Sequence, residues 1–138
     1  DVVRKIMILS REAGYPVEQK DVAVNKFLPE SCFTGSLASF YEKVKMEFDA
    51  AFEEERKKLV RQKRKWRFYA TMDQGRARVE LITVDSSHPS YDLEGSNNIV
   101  LLTTERYREL PMVIKGYGAG ADVTAAGIFA DIMRGVNV

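Results

Sequence analysis

Apolar residues near the start of the chain recur every three or four positions, as they do along one face of a helix. They are Val2, Ile6, Leu9 and Ala13. Because Gly14 follows them as a residue suited to ending a helix, the pattern predicts a helix over residues 2–13. The segment 21–28 then partly alternates between apolar and polar residues and ends at Pro29, which predicts a strand.

A longer stripe of apolar residues, spaced mostly by four, predicts one long helix in the middle of the chain. The stripe consists of Leu37, Phe40, Val44, Phe48, Phe52 and Leu59. Ser39, followed three residues later by Glu42, forms a capping box at its start, and Ser36 is a rival cap. Residues 31–36 before it are predicted as a loop.

Near residue 65 the pattern changes to a period of two, which is typical of strands. Two alternating segments, 66–73 and 76–84, flank a short connection at 73–75 that ends in glycine. A connection of this length and composition between two alternating runs predicts a β-hairpin.

The last part of the chain predicts two more strands and a helix. The strands are at 98–104 and 112–117. A loop rich in turn-forming residues, 85–97, precedes them. The final helix is predicted from Ala121 or Asp122 to about Arg134.

The predicted order of elements is therefore α-β-α-β-β-β-β-α. Successive strands pair through short turns, and the helices are long enough to cover a sheet. The sequence thus predicts an α+β fold, with a mixed or antiparallel sheet covered on one face by helices. A chain of 138 residues suits one domain, so residues 1–138 are predicted to form a single domain.

Composition and charge argue against several classes of function. A formal net charge of +1 gives no general attraction to nucleic acid, and no apolar run approaches the ~20 residues of a membrane-spanning helix. Cys32 is the only cysteine, which excludes a disulfide within this chain and suits a reducing, cytoplasmic setting. The chain begins with a helical pattern and no signal-peptide pattern, which suggests a piece of a longer polypeptide.

The segment KGYGAGADVTAAGIFADIMR, residues 115–134, predicts a strand end, a glycine-rich turn and a helix. Glycine lets a backbone approach a phosphate closely, and the start of a helix attracts anions. However, Gly116, Gly118 and Gly120 have neither the lysine of a P-loop nor the G-x-G-x-x-G spacing of a dinucleotide fingerprint. Phosphate binding and close packing of a helix on a strand are both open interpretations.

Asp1 and Lys5 lie four residues apart, and hence on one face of the first predicted helix. An acid placed before a lysine at this spacing commonly forms a surface ion pair worth ~0.3–0.5 kcal/mol. The alternative is a lysine held by a carboxylate so that it can donate a proton to a developing alkoxide.

The segment RKKLVRQKRKWR, residues 56–67, contains eight basic residues and one tryptophan. Such a stretch can bind nucleic acid. Acidic residues precede these bases on the same predicted helix, an order that complements the helix dipole. We interpret the stretch as a solvated helix face and keep a nucleic-acid-binding module as the alternative function.

His88 and Cys32 are the remaining candidates for chemistry. His88 is the only histidine, so it cannot contribute to a site that needs two. It lies beside a proline in a loop and is interpreted as a turn residue, with contact to a substrate as the alternative. Cys32 has no neighbouring base in the sequence and is interpreted as inert. No metal site is predicted.

Both ends of the chain resemble the homoserine dehydrogenase family. DVVRK at 1–5 resembles the close of the family signature, in which an aspartate is followed four residues later by a lysine. GYGAGADVTAAGIFADIMR at 116–134 resembles the C-terminal segment of the family, and the segment 97–120 also fits. Residues 45–80 match only in outline. The ending FADIMR, 129–134, is similar to that of bifunctional aspartokinase–homoserine dehydrogenases.

The resemblance implies the reduction of aspartate 4-semialdehyde to homoserine with NADPH or NADH, on the route to threonine, methionine and isoleucine. It implies that Lys5 is the catalytic general acid and that Asp1 binds and orients the substrate. It also implies that Gly118, Ala119 and Gly120 bind the cofactor at its nicotinamide end.

The resemblance further implies partners for this chain. A nucleotide-binding domain and an aspartokinase domain would precede residue 1 in the same polypeptide. The final helix would pack on the nucleotide-binding domain, with residues 116–136 as the arm that returns to it. A homodimer is expected, and no nucleic-acid or membrane partner. Without the nucleotide-binding domain, the chain alone is expected to be inactive.

Overall fold

The structure is a computed structural model that describes residues 1–118 and 120–136. Within these residues there are four helices: α1 Val2–Glu12, α2 Leu37–Glu47, α3 Asp49–Arg61 and α4 Ala121–Val136. The strands are β1 Ala23–Val24, β2 Arg64–Asp73, β3 Arg76–Asp85, β4 Asn97–Leu102 and β5 Met112–Tyr117. Two short 3₁₀ helices span Gln19–Asp21 and Glu30–Phe33. The predicted α+β class is confirmed.

The strands form two sheets in the described residues, where the sequence predicted one. The first sheet is mixed, with the order β1-β3-β2, and the second is the antiparallel pair β4-β5. Alternation along a strand shows that the strand has two faces, but it does not show which strand is its neighbour. The chain also divides into two compact units, residues 1–86 and 87–138, and each is considered separately below.

The core of the first unit lies between α1 and the β2–β3 hairpin. Its buried residues are Ile6, Val17, Val22, Ala77 and Val79. Partly buried residues of α1 and β2 pack against this cluster, among them Val2, Val3, Ala70 and Met72. The predicted helix over 2–13 is therefore confirmed to within one residue. Val2 and Ile6 of its apolar stripe pack on the sheet, whereas Leu9 is 42% exposed.

The predicted long helix is two helices that meet at Phe48. There the backbone changes to φ −121° and ψ −22°, yet the N–H of Phe48 still donates to the carbonyl of Val44 at 3.0 Å. Beyond this bend, α3 places Phe52 edge-on against Trp66 of β2, with ring centroids 5.8 Å apart. The apolar spacing alone could not show the bend, because the stripe continues through it.

The cap of α2 is Ser36, the rival cap, and the predicted capping box at Ser39 and Glu42 is wrong. The Ser36 Oγ accepts a hydrogen bond from the backbone N–H of Ser39 at 3.2 Å. The Ser39 hydroxyl donates to the carbonyl of Ser36 at 2.8 Å. The first bond satisfies one of the free N–H groups at the helix start, as an N-cap does. The loop predicted at 31–36 contains the second 3₁₀ helix.

The strand predicted at 21–28 is mostly irregular. Only Ala23–Val24 pair with β3, in parallel with Arg78 and Val79. Val22 and Leu28 on either side are buried, so their apolar side chains fill the core from turns. Val24 and Phe27 between them are 43% and 50% exposed, so the alternating sequence matched neither alternating burial nor an extended ladder.

The predicted hairpin is confirmed. Asp73 pairs with Arg76, so the loop has two residues, and β2 and β3 pair along ten positions each. Gln74 and Gly75 have φ values of 48° and 80°, which are the positive values that a type I′ turn requires. A side chain at Gly75 would also lie 2.9 Å from the ring of Tyr15.

The second unit contains the β4–β5 pair and α4. β5 has the predicted bounds, β4 ends two residues earlier than predicted, and α4 extends to Val136. Asn98 of β4 lies opposite Gly116 of β5. The apolar residues of β5 and α4 are exposed, including Ile114, Ile128 and Phe129.

Candidate functional site

Asp1 and Lys5 form an ion pair on the first turn of α1. The Lys5 Nζ lies 2.7 Å from the Asp1 Oδ2, and the Lys5 backbone N–H donates to the carbonyl of Asp1 at 3.1 Å. The Lys5 side chain is 56% exposed and the Asp1 side chain is 76% exposed. The structure thus places together the two residues that the sequence paired, with their charged groups accessible to a bound molecule.

Packing of α1 fixes the position of this pair. Ile6, directly after Lys5, is buried in the core, and the buried Ser10 donates its hydroxyl proton to the Ile6 carbonyl at 2.7 Å. At the far end, the Arg11 guanidinium donates to the carbonyl of Val17 at 3.1 Å. The helix is therefore anchored to the sheet, so its first turn presents Asp1 and Lys5 from a rigid element.

The glycine-rich turn lies in the second unit. The N–H of Gly118 donates to the carbonyl of Ser96 at 3.3 Å, which adds one more bond beyond the β4–β5 ladder. Gly120 has φ +151°, a value that glycine adopts readily, and its carbonyl accepts from the N–H of Thr124 at 3.0 Å. Gly120 thus directly precedes α4. The third predicted cofactor residue, Ala119, lies outside the described residues.

The chemistry of this turn suits an uncharged part of a cofactor better than a phosphate. Asp122 stands in the first turn of α4, where its carboxylate repels an anion that the helix start would otherwise attract. Gly120 has no side chain, so a flat ring could approach its backbone, whereas the corresponding side of Gly118 is occupied by the side chain of Asn98. The described residues of the turn therefore do not form a phosphate cradle by themselves.

The basic stretch 56–67 spans the end of α3 and the start of β2. Glu53 accepts two hydrogen bonds from Arg56 at 2.6 and 2.8 Å, and Lys58 lies 3.3 Å from Glu54. The hydrogen bond from Arg56 lowers the pKa of Glu53, and the bond to Glu54 raises the pKa of Lys58. Several of these bases are thus neutralised on their own helix, which favours the interpretation as a solvated face over a nucleic-acid interface.

His88 forms contacts within its own loop, and Cys32 is buried. The Nδ1 of His88 accepts a hydrogen bond from the N–H of Ser90 at 3.2 Å and lies 2.8 Å from the Ser90 hydroxyl, within a loop of the second unit. Cys32 is fully buried in the first unit. Among residues 1–118 and 120–136, no group of three His, Cys, Asp or Glu residues is arranged to hold a metal ion. No helix of this described part is long and apolar enough to span a membrane.

Comparison with known families assigns the chain. The homoserine dehydrogenase family matches residues 1–133, which include both the Asp1–Lys5 pair and the glycine-rich turn. The chain belongs to the homoserine dehydrogenase family.

Similar proteins of the homoserine dehydrogenase family are much longer than this chain. Bifunctional aspartokinase/homoserine dehydrogenase 1, chloroplastic, of Zea mays is 38% identical over 136 residues, which are 97% of this chain and 15% of that protein. Bifunctional aspartokinase/homoserine dehydrogenase 2 of Escherichia coli strain K12 is 38% identical over 138 residues, 97% of this chain and 16% of that protein. The chain thus spans about a sixth of the length of these relatives.

A solved structure has a similar fold. The crystal structure of a Candida auris protein of unknown function has a TM-score of 0.80 and 34% identity, covering 96% of this chain and 37% of that one. The likeness is to a part of a larger polypeptide, as it is for the bifunctional homoserine dehydrogenases.

The structure adds two residues beside the glycine-rich turn that were not predicted from the sequence. Ser96 accepts the hydrogen bond of Gly118, and the side chain of Asn98 lies against Gly118. A usable signal was present in the sequence: Asn98 follows a turn and begins a strand whose partner strand carries the glycines. Only the register of β4 and β5 identifies which residue faces which glycine.

Proposed function

We propose that this chain is the catalytic part of a homoserine dehydrogenase, which reduces aspartate 4-semialdehyde to homoserine in the biosynthesis of threonine, methionine and isoleucine. The observation that carries the proposal is the family match over residues 1–133, which begins on the ion pair of Asp1 and Lys5. The cofactor, NADPH or NADH, supplies the hydride when it is bound.

Lys5 is the general acid in this proposal. Addition of hydride to the carbonyl carbon of the aldehyde leaves a negative charge on the oxygen, which becomes a hydroxyl when it gains a proton. An ammonium group near that oxygen stabilises the charge and donates the proton. In the reverse direction the neutral Lys5 amine takes the hydroxyl proton of homoserine. The exposed Nζ of Lys5 is accessible for this exchange.

Asp1 binds the substrate and orients Lys5. Its carboxylate, 2.7 Å from the Lys5 Nζ, limits the directions in which the ammonium can point. A carboxylate at this position also attracts the substrate's own ammonium group. The rigid attachment of α1 to the sheet supports this role, because a positioned acid is more effective than a mobile one.

The glycine-rich turn meets the cofactor in this proposal, through Gly118, Ala119 and Gly120. The absence of a side chain at Gly120 supports it, as does the acidic start of α4, which favours the nicotinamide end over the phosphates. Residues 116–136 would be the arm that returns to a nucleotide-binding domain, on which α4 packs.

We also infer the setting in which the chain works. It would be one domain, residues 1–138, in a polypeptide that also carries nucleotide-binding and aspartokinase domains, as the bifunctional relatives do. It would form a homodimer. A cytoplasmic location is our proposal for this chain, although the Zea mays relative carries the word chloroplastic in its name.

The first experiment measures dehydrogenase activity with and without the nucleotide-binding domain. The isolated 138-residue chain should show no oxidation of NADPH with aspartate semialdehyde and only very weak binding of NADP(H), because most cofactor contacts would come from the other domain. Restoring the preceding segment should restore both. Activity in the isolated chain would contradict the proposal that the chain needs a nucleotide-binding domain.

The second experiment replaces Lys5 with alanine in the complete enzyme. We expect kcat to fall about 10²–10⁴-fold, the usual scale for loss of a general acid. Lys20→Ala serves as the control, because Lys20 is an exposed lysine of the same unit that is not part of the proposed site. If kcat were unchanged and only KM rose, Lys5 would be a binding group and the assignment as acid would be wrong.

A further inference from the structure

Two glycines of the turn lie on the same face of the β4–β5 sheet as Asn98. Asn98 is the direct partner of Gly116 in the antiparallel register, so the two residues face the same side. Gly118 is two residues further along, and because side chains alternate along an extended chain, it belongs to that side as well. The bond from the Gly118 N–H to the Ser96 carbonyl keeps this register for one pair beyond the strands. The spacing of Gly116 and Gly118 thus leaves a strip without side chains beside Asn98.

The side chain of Asn98 occupies this strip. Its Nδ2 donates to the Ser96 carbonyl at 3.2 Å, the same carbonyl that accepts the Gly118 N–H at 3.3 Å. A Cβ at Gly118 would lie 1.7 Å from that Nδ2 and 2.5 Å from the Asn98 Cγ, and the three nearest atoms to it all belong to Asn98. Side-chain atoms cannot approach so closely, so Asn98 can hold this position only if residue 118 is glycine.

The three glycines of the turn are not equivalent in what a side chain would meet. Gly120 has a φ value that disfavours a side chain, whereas the φ of Gly118 does not lie in the left-handed region. A Cβ at Gly116 would meet no atom within 4 Å. For Gly118, the contact with Asn98 is what excludes a side chain.

We propose that Asn98 is a positioning residue for the glycine-rich turn, acting through Gly118 to fix the backbone that meets the cofactor. The inference rests on the proposed function, because that function gives the turn its role at the nicotinamide end. A carbonyl that accepts two hydrogen bonds, one from the side chain and one from the turn, holds the turn at the end of the sheet. Asn98 itself does not have to touch the cofactor.

The test compares Asn98→Ala with Asn97→Ala in the complete enzyme. Asn97 is a matched control. Its Nδ2 also donates to a nearby backbone carbonyl, that of Glu94 at 2.9 Å, and none of the three atoms nearest to a Cβ at Gly118 belongs to Asn97. The Asn98 hydrogen bond is exposed, and loss of one such bond corresponds to at most about a tenfold change in an equilibrium constant. We expect Asn98→Ala to weaken NADPH binding and raise its KM about tenfold. We expect the KM for aspartate semialdehyde to change less than twofold, and Asn97→Ala to change neither.

A double variant tests the contact directly. Gly118→Ala should impair NADPH binding more than Asn98→Ala, because the new methyl group forces the amide out of its position. In Asn98→Ala combined with Gly118→Ala the clash is removed, so the double variant should bind NADPH better than Gly118→Ala alone. Effects that simply multiply would overturn the proposal, since they would show that the two residues act independently.

Hydrogen exchange separates this inference from the proposed function. Exchange of the backbone amides at 116–118, read by mass spectrometry, should be faster in Asn98→Ala and in Asn98→Asp than in the parent or in Asn97→Ala. Unchanged exchange in the first unit would show that the variants are folded. If the parent enzyme lacked dehydrogenase activity, the proposed function would be wrong, and the exchange data would still decide whether Asn98 holds the turn. Unchanged exchange at 116–118 in both Asn98 variants would overturn the inference.

Discussion

The two units of the chain differ in how they bury apolar residues. In residues 1–86, α1 and the β2–β3 hairpin enclose a cluster in which Val79 is only 1% exposed. In residues 87–138, the apolar side chains of β5 and α4 are exposed, from Met112 to Val136. Among the described residues, every buried apolar side chain belongs to the first unit.

The difference follows from the number of elements in each unit. A sheet of three strands with helices on it can enclose a core, whereas two strands and one helix cannot bury their own apolar surface. A stripe such as Ile128, Phe129, Ile132 and Met133 on α4 therefore needs another surface. The first unit therefore has a core of its own, whereas the second exposes apolar residues for contact with another domain or another chain. The following predictions test that contrast, beginning with the largest expected effect.

The same substitution in the two units should have very different effects on stability. Val79→Ala removes two methyl groups from the core and should lower the free energy of unfolding by about 2 kcal/mol. Val123→Ala, on α4, where the side chain is 47% exposed, should change it by less than about 0.5 kcal/mol. Urea unfolding of the parent chain and both variants measures these differences.

Equal losses of stability in the two variants would contradict the contrast. They would mean that Val123 is packed in solution as well as Val79 is. A self-associated chain could produce this result, so unfolding is measured at several protein concentrations, because association makes stability depend on concentration.

The sequence predicted α1 and the hairpin of the first unit well, because their signals are local. The period of α1 and the two-residue turn at Gln74 and Gly75 depend only on neighbouring residues. The break between α2 and α3 at Phe48 was not predictable, because the apolar stripe in the sequence continues through it. The structure shows that the hydrogen bonds of Phe48 continue there as well. The short β1 was overestimated because partial alternation in the sequence does not show that the backbone pairs; Val24 and Phe27 are exposed, and only Ala23–Val24 pair with β3.

The candidate site was predictable to a different extent in each unit. The Asp1–Lys5 contact followed from helical spacing, which alone brings the two side chains together. The importance of Asn98 for Gly118 depends on the pairing of β4 with β5, and the two residues are far apart in the sequence. Local periodicity contains no information on such a contact, so it needed the structure.

The exposed stripe of α4 should make the isolated chain self-associate. Replacing Ile128 and Ile132, which are 58% and 57% exposed, by glutamate should weaken association at least about tenfold, because charges cannot be buried in an apolar contact. The control is Met46→Glu on α2, where the methionine is 85% exposed in the first unit. Sedimentation velocity over a range of concentrations measures the effect.

Two results would argue against this use of α4. A parent chain that stays monomeric at high concentration would show that the stripe alone does not drive association. An effect of Met46→Glu as large as that of the α4 variant would show that exposed apolar residues of both units associate without distinction, and the contrast would be lost.

The smallest expected effect concerns the surface ion pairs of the two units. The hydrogen bond from Arg56 lowers the pKa of Glu53 below its ordinary value of 4.5, so this carboxylate contributes to stability above pH 4.5 and the contribution is lost as the pH falls through the lowered pKa. Glu53→Gln should therefore lower the urea midpoint slightly at pH 7, and the difference from the parent should disappear in acid.

Asp131→Asn removes the pair with Arg134 on α4, where the groups are 3.5 Å apart and both side chains are exposed. It should change the urea midpoint less than Glu53→Gln does. A difference for Glu53→Gln that grew as the pH fell would reverse the predicted sign and show that the carboxylate is not stabilised in its charged form.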